Sequence, residues 1–239
     1  MKKILLILVS LSFVVALNAQ INKVALVSIY GNKQIDASDF GTVGAIKTLG
    51  HDPAFDLSGI ITDVKDRIYN DLAKDFPFTM LEEDKLVGNE QYVQLAKETE
   101  SKISKLFYIC PEGYYFIPNT KKNIAALYDI FQPEGVDGFM YVSVDYSLHK
   151  VIQAMGFGTA KVSATITMWI YDKSGKKIFM MSVYQTSDES IKFALGGNAM
   201  EADKIIPLCE DATNKAFIRM KEKLPKKIAK MAKKVNKNK

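Results

Sequence analysis

The chain has 239 residues and a formal net charge of +5, and 48% of its residues are hydrophobic, 10% aromatic and 25% charged. This composition is typical of a folded globular domain, and it excludes a disordered segment, a collagen-like polymer and a low-complexity chain. Two Cys and two His are too few for a four-ligand structural zinc site, so we expect neither a metal nor a cofactor.

The first residues are predicted to direct export. Lys2 and Lys3 precede thirteen uncharged, mostly apolar residues, 4–16, and the small Ala19 suits the position before a cleavage site. This pattern is typical of a signal peptide over residues 1–19, because the apolar run is shorter than the ~20 residues of a membrane-spanning helix. The alternative is an uncleaved anchor. We expect a periplasmic or secreted protein.

The mature chain opens with a strand and a helix. Residues 23–30 form a near-continuous apolar run, which predicts a central strand covered on both faces. Residues 31–57 show no clear pattern. An amphipathic helix capped by Ser58 or Thr62 is predicted next, followed by a short strand over residues 78–82. The apolar stripe of this helix consists of Ile61, Val64, Ile68, Leu72 and Phe76.

Two further helices are predicted before the spacing of apolar residues changes from helical to alternating. The first is capped by Asn89, and the second is ended by Pro133 and Gly135. Their apolar stripes are Tyr92, Ala96, Thr99, Ile103 and Leu106 in the first and Ile124, Leu127, Tyr128 and Phe131 in the second.

The next segment alternates apolar and polar residues. Residues 140–148 and 162–171 show this alternation, and a turn at 172–175 leads into a partner strand over 178–185. Together they predict an antiparallel meander over residues 139–186. Gly156-Phe157-Gly158 resembles part of a dinucleotide loop but does not open a helix, so we interpret it as a flexible connection between strands.

A final helix is predicted to begin near Pro207 and to be kinked or broken by Pro225. Its inward side chains are predicted to be Ala212, Ala216, Phe217, Met220 and Leu224. The simplest arrangement of all these elements is an α/β (α+β) fold, in which helices pack on a mixed sheet that contains the three-stranded meander. We expect one domain over residues 20–220.

The two cysteines form an even pair in an exported chain. Cys110 and Cys209 are therefore predicted either to form a disulfide or to remain two separate buried thiols. A bond between them would close a long loop and stabilise the fold by roughly 4–5 kcal/mol in the chain-entropy model.

Charge is concentrated at the C-terminus. Residues 221–239 contain nine Lys and one Glu, a net charge of +8, which leaves −5 on the rest of the mature chain. This distribution differs from the broad basic face of a nucleic-acid binder, so no nucleic-acid partner is expected. A helical extension over 221–239 would contact anionic membrane, or else extend into solvent as the end of a docked helix. The cations of this predicted contact are Lys223, Lys226, Lys227, Lys230, Lys233 and Lys234.

Candidate catalytic residues are few, and none lies in a recognisable motif. A Ser or Cys nucleophile needs a nearby His, and the chain offers only His51 and His149. The acidic runs at 82–84 and 188–189 are interpreted as solvated turns. An aromatic cluster could line a groove, but we interpret it as core or a packed loop. Its members are Tyr108, Tyr114, Tyr115 and Phe116.

Several segments resemble the periplasmic domain of curli secretion channel (CsgG-like) proteins. That fold is shared with the TolB amino-terminal domain and with outer-membrane activators of cell-wall synthases. The segments that carry the resemblance are residues 23–28, the helix 60–75, and the stretches 78–86, 135–144 and 170–179. The resemblance implies an exported, non-enzymatic α/β module that assembles with envelope proteins. The chain departs from the channels in lacking an acylated Cys, and its connection over residues 149–161 is too short for a membrane hairpin.

We therefore expect a CsgG-like envelope module that binds envelope proteins or a second copy of itself and catalyses nothing. One alternative is a peripheral protein that holds anionic lipid or a polyanionic polymer through its Lys-rich end. The other alternative is a hydrolase that uses His51 or His149.

Overall fold

The computed structural model describes residues 21–36, 38–40, 52–101, 106–154, 157–194 and 201–237. The predicted signal peptide and His51 lie outside these residues. The strands in the described part are β1 (Lys23–Asp36), β2 (Thr79–Met80), β3 (Tyr108–Ile109), β4 (Gly138–Ala154), β5 (Phe157–Asp172), β6 (Lys177–Thr186) and β7 (Ile191–Ala194). They form one mixed sheet in the order β2-β1-β4-β5-β6, in which β3 also pairs with β1 and β7 with β5. The predicted fold class is confirmed.

Strand β1 lies inside the sheet, as its apolar run predicts. It pairs in parallel with β2 on one side and with β4 on the other, and residues 24–29 are buried. The carboxylate of Asp137 fixes its start, because Oδ1 accepts hydrogen bonds from the backbone amides of Asn22 and Lys23 at 2.9 and 3.0 Å. The strand continues to Asp36, beyond the predicted end, because β4 offers further partners after an irregularity in the register.

The meander of β4, β5 and β6 confirms the alternating pattern. Asp172 closes the β5–β6 turn by accepting hydrogen bonds from the amides of Ser174 and Lys176, and Gly175 has a φ of 78°, which favours glycine. The connection predicted between the strands over residues 149–161 is wrong in extent. Most of it is paired strand, from His149 opposite Lys161 onward, because the ladder continues past the covered part of the sheet.

Five helices are found among the described residues: α1 (Ser58–Arg67), α2 (Glu83–Val87), α3 (Glu90–Thr99), α4 (Lys121–Phe131) and α5 (Ala202–Lys237). Asn89 caps α3, as predicted, by accepting a hydrogen bond from the amide of Tyr92 at 3.0 Å. The caps predicted for α1 are wrong, because Leu57 holds the cap position without a side-chain bond. Helix α3 ends at Thr99, so its stripe does not extend to Leu106, which is 44% exposed.

Helix α5 corrects two predictions about proline. It begins at Ala202 rather than near Pro207, and it continues through both Pro207 and Pro225 without ending. Each proline removes one backbone hydrogen bond, yet each lies on the exposed side of the helix while its neighbours Leu208 and Leu224 are buried. Burial of the apolar face on both sides of each proline offsets the lost hydrogen bond.

The helices cover the two faces of the sheet unequally. Helices α1 and α5 contact each other and share one face, where α1 packs on β1 and α5 packs on β5 and β6. The predicted inward side chains of α5, from Ala212 to Leu224, are buried there. On the other face, the segment 115–117 packs over β1, where the Ser28 hydroxyl donates to the carbonyl of Tyr115 at 3.0 Å and accepts from the amide of Ile117 at 3.2 Å. That cover does not reach all of β5 and β6.

Candidate functional site

One side of β5 and β6 remains accessible in the described structure, and we call it the open face. Strand alternation places every second side chain of these strands on this side. The side chains on this side are Ser163, Thr165, Thr167 and Trp169 of β5 and Met180, Ser182, Tyr184 and Thr186 of β6. Met180, Ser182 and Tyr184 are exposed, whereas Ser163 and Thr167 are buried, so the accessible part of the face lies along β6. Hydroxyl groups dominate this set, and aromatic rings flank them.

The hydroxyls of the open face bond to one another across the strands. Thr167 Oγ1 and Ser182 Oγ lie 3.0 Å apart, and Ser163 Oγ donates to the Tyr184 hydroxyl at 2.8 Å. On the neighbouring strand β4, Ser143 Oγ donates to the carboxylate of Asp145 at 2.8 Å. These bonds hold the hydroxyl side chains against the sheet, so the polar groups of this face are preorganised.

His149 lies at one end of this face, within a polar cluster. Its Nδ1 is 3.1 Å from Oδ2 of Asp39, and its Nε2 is 3.1 Å from the hydroxyl of Tyr184. The cluster is solvent-facing, since the His149 side chain is 37% exposed and Tyr184 is 51% exposed. Ser163 Oγ donates to the Tyr184 hydroxyl rather than to the imidazole, so among the described residues the hydroxyl that faces His149 is the phenol of Tyr184 and not that of a serine.

A shallow groove lies elsewhere, between the end of β6 and the outer side of α5. Its lining side chains are Gln185, Lys215, Ile218, Arg219 and Glu222. The charges there are already paired, because Lys215 Nζ contacts both Asp188 and Asp211, and Arg219 contacts Glu222 at 2.7 Å. The lysine holds the pKa of Asp188 below its usual range. A surface with both signs of charge suits a mixed-charge partner.

Strand β6 forms the edge of the sheet beside the open face and the groove. Among the described residues it pairs with β5 alone. Met180 and Tyr184 expose 46% and 51% of their surface along this edge. The sequence analysis did not single out Asp39, Tyr184 or Met180. The alternation over residues 178–185 identified the strand, but no local signal showed which side would remain uncovered.

The two cysteines are free thiols in the structure, so no disulfide joins Cys110 and Cys209 there. Cys209 is buried in α5, and Cys110 is half-buried after β3. Burial raises the pKa of the Cys110 thiol to about 12 and also raises that of Cys209. The alternative of two separate thiols describes this arrangement.

The aromatic cluster of the sequence analysis is packed, as interpreted. The rings of Tyr108 and Phe116 stack with centroids 4.3 Å apart, and Tyr30 joins them. Tyr114 is buried and its hydroxyl donates to that of Tyr69 at 3.2 Å. The acidic run at 82–84 is not simply a turn, because Glu83 begins α2 and pairs with Lys65 at 2.7 Å.

The Lys-rich end continues α5 beyond the sheet. The cations with described side chains are exposed, and they are Lys223, Lys226, Lys227 and Lys230. The side chains of Lys233 and Lys234 lie outside the described set. Within the described residues, no helix combines the length and the apolar character that crossing a membrane requires, and no cluster of three or more metal-ligating side chains is found.

Comparisons with known proteins return only distant structural likenesses. A scan against models of protein families finds no match, and neither does a search of curated proteins. The LpoB C-terminal domain from Salmonella enterica is 12% identical, with a TM-score of 0.35 over 68% of this chain and 81% of that chain. A putative neuraminyllactose-binding hemagglutinin homolog from Helicobacter pylori is 12% identical, with a TM-score of 0.42 over 91% and 90% of the two chains.

A third solved structure is the lipoprotein GNA1162 from Neisseria meningitidis. It is 12% identical, with a TM-score of 0.33 over 83% of this chain and 99% of that chain. These neighbours are bacterial proteins that include lipoprotein-type domains, and at such scores the likenesses carry no argument about function. None of them shows the CsgG or TolB family, so that resemblance stays a prediction.

Proposed function

We propose that this chain is a non-enzymatic, exported protein of the bacterial envelope that works as a protein-binding or assembly module. The observation that carries the proposal is the open face, on which hydrogen bonds fix the hydroxyl groups and Met180 and Tyr184 are exposed along an edge strand. Protein interfaces are enriched in Met and aromatic residues. The predicted signal peptide supports export, and the CsgG-like resemblance supports an assembly role.

The geometry around His149 supports binding over hydrolysis. Both ring nitrogens already face side chains, Asp39 and Tyr184, at 3.1 Å. The cluster lies at the surface, whereas electrostatic stabilisation of a transition state is strongest in a site shielded from bulk solvent. A hydrolase activity of the purified chain that is lost in a His149→Ala variant would contradict the proposal.

Site-specific photo-crosslinking tests the open face directly. A photoreactive amino acid at Ser182 is expected to give discrete adducts in living cells, because this side chain lies at the middle of the face. The matched control is the same amino acid at Ala125, an exposed residue of α4 on another part of the surface. Adducts of equal yield and identity at both positions would refute a role for the open face.

A second candidate function is contact with anionic lipid through the end of α5. The observation that favours it is that the helix continues past Pro225 and exposes Lys226, Lys227 and Lys230. Electrostatic attachment weakens as salt screens the charges. Flotation with anionic vesicles should therefore fall in a variant with Glu at these three positions and in high salt, and equal binding to neutral vesicles would exclude this role.

A further inference from the structure

Among the described residues, the backbone of β6 has hydrogen-bonding groups on its outer edge that pair with no other strand. The amide of Ser187 donates to the carbonyl of Val162 at 2.8 Å, which continues the β5–β6 ladder. In an antiparallel ladder, bonded residues alternate with residues whose amide and carbonyl point the other way. Met180, Ser182 and Tyr184 therefore direct their backbone groups away from β5.

Beyond Lys177 at its start, this edge lacks the devices that normally prevent strands from pairing. Natural edge strands carry charged residues, prolines or bulges, or they are short. Residues 178–186 contain no charged residue and no proline, and the strand is ten residues long. Its only register shift lies at its N-terminal end, opposite Ile170 and Tyr171. The edge is therefore suited to receive another strand.

We propose that β6 pairs antiparallel with β6 of a second copy of this chain, about a twofold axis at Ser182. The inference rests on the proposed function and names the partner of the same surface. The pairing extends the sheet across both copies. It places Met180 of one copy opposite Tyr184 of the other, which is a favourable cross-strand pair of large side chains.

The charges at the two ends of β6 favour a second copy as the occupant. Lys176 precedes Ser182 by six positions, and Asp188 follows it by six. Antiparallel pairing about Ser182 brings Lys176 of each copy to Asp188 of the other. An interface with twofold symmetry must be complementary to itself, and this distribution of charge meets that condition.

The groove beside β6 fits the same arrangement. The axis brings the α5 helices of both copies side by side on one face of the joined sheet. Ile218, which is 55% exposed, lies in this groove and therefore on the side of the joined sheet that the two helices share. Arg219 and Glu222 pair with each other within one chain, so the groove carries both signs of charge and no net charge that would repel a second copy. A strongly acidic or strongly basic partner would meet like charges there.

Sedimentation equilibrium of the purified chain tests the inference. The wild type is expected to be a dimer that dissociates on dilution. Met180→Pro removes an amide hydrogen that points away from β5, so we expect the folded monomer to persist and dimer affinity to fall at least about tenfold. Met180→Lys places a charge on the edge and should act in the same way. Ala125→Lys on α4 is the matched control, and it should dimerise like the wild type.

A charge exchange tests both the register and the identity of the partner. Lys176→Glu and Asp188→Lys should each weaken the dimer about tenfold, because each places like charges opposite each other twice. An equal mixture of the two variants should regain wild-type affinity, since unlike charges then meet at both ends. Recovery of affinity in the mixture would also show that the weaker dimer of Asp188→Lys does not result from losing the contact between Asp188 and Lys215 within one chain.

Two outcomes would overturn the inference: a wild type that is monomeric at all concentrations, and a dimer unchanged by Met180→Pro, Met180→Lys and the charge exchange. Failure of the proposed function would look different. If the chain is monomeric but Ser182 still gives adducts to another protein, the proposed binding module would be supported and a second copy would be excluded as its partner. If the chain dimerises but Ser182 gives no adduct to any other protein, the strand pairing would be supported and binding to another envelope protein would be contradicted.

Discussion

At the scale of single residues, buried tyrosines connect distant parts of the chain. Strand β1 has a register shift between Leu26 and Ser28, so Val27 stands out of the ladder with β4. The hydroxyl of Tyr92, on α3, donates to the carbonyl of Val27 at 3.0 Å. Tyr141 differs, because its buried hydroxyl has no hydrogen-bond partner among the described residues. These two hydroxyls should affect stability in opposite ways.

Replacement of each tyrosine by phenylalanine measures that difference. Tyr92→Phe should lower the free energy of unfolding by about 1 kcal/mol, because a buried hydrogen bond to the backbone is lost. Tyr141→Phe should be neutral or stabilising, since it removes a buried polar group that makes no bond. Urea denaturation of both variants beside the wild type gives the two values. Equal losses of stability would show that neither hydroxyl acts as described.

The thiols provide a second test at this scale. With its pKa raised to about 12 by burial, Cys110 remains protonated at pH 8, and Cys209 is buried. Because the thiolate is the reactive form, both should label far more slowly than free cysteine in the native protein. A thiol-reactive dye without reductant should then count two thiols per chain after unfolding. A count of zero would establish a disulfide in solution.

At the scale of elements, close contact between α1 and β1 fixes how the first helix lies on the sheet. A Cβ atom at Gly31 would approach Cδ1 and Cγ1 of Ile61 to 2.6 and 2.8 Å. Ile61 is fully buried, so its side chain cannot move aside freely. Glycine at position 31 therefore allows this helix to pack directly on the strand.

A double-mutant cycle examines this contact. Gly31→Ala should destabilise the fold by about 1–3 kcal/mol through overpacking, and Ile61→Ala by about 2–5 kcal/mol through the cavity that it leaves. The double variant should lose less than the sum, because the smaller side chain makes room for the new methyl group. Urea denaturation supplies all three values. Strict additivity would contradict direct contact between these positions.

Element prediction from sequence succeeded where the signal was local. Asn89 was predicted as a cap because its side chain needs only an amide three residues later. Pro225 is predicted to kink or break α5, and the predicted break is wrong because the helix is held by tertiary burial of Leu224 and a half-buried Ile228. Propensity along the chain does not include contacts with a distant sheet.

At the scale of the whole molecule, burial of several tyrosines should make the free energy of unfolding fall at alkaline pH. Desolvation raises the pKa of several tyrosines, for Tyr69 to about 12, and these groups stay protonated in the folded state. The tyrosines with such raised values are Tyr30, Tyr69, Tyr92, Tyr114, Tyr141 and Tyr146. In the unfolded chain a tyrosine loses its proton near pH 10.

Stability should therefore be independent of these groups below about pH 9 and fall as pH rises above it, because the folded state then binds more protons than the unfolded state. Each such group contributes a slope of up to about 1.4 kcal/mol per pH unit. Urea midpoints at pH 8 and pH 10.5 measure the effect, and Tyr69→Phe should show a shallower decline. A flat profile would contradict protonated, buried tyrosines.

The amino-acid sequence alone determined the local elements of this protein: the apolar strand, the meander and its turn, and the cap at Asn89. Each depends on residue types within a few positions of one another. Tertiary structure alone decided which side of β5 and β6 stays open, how far β4 and β5 extend, and that Asp39 meets His149. Those features require contacts between residues far apart in the chain, which local sequence patterns do not indicate.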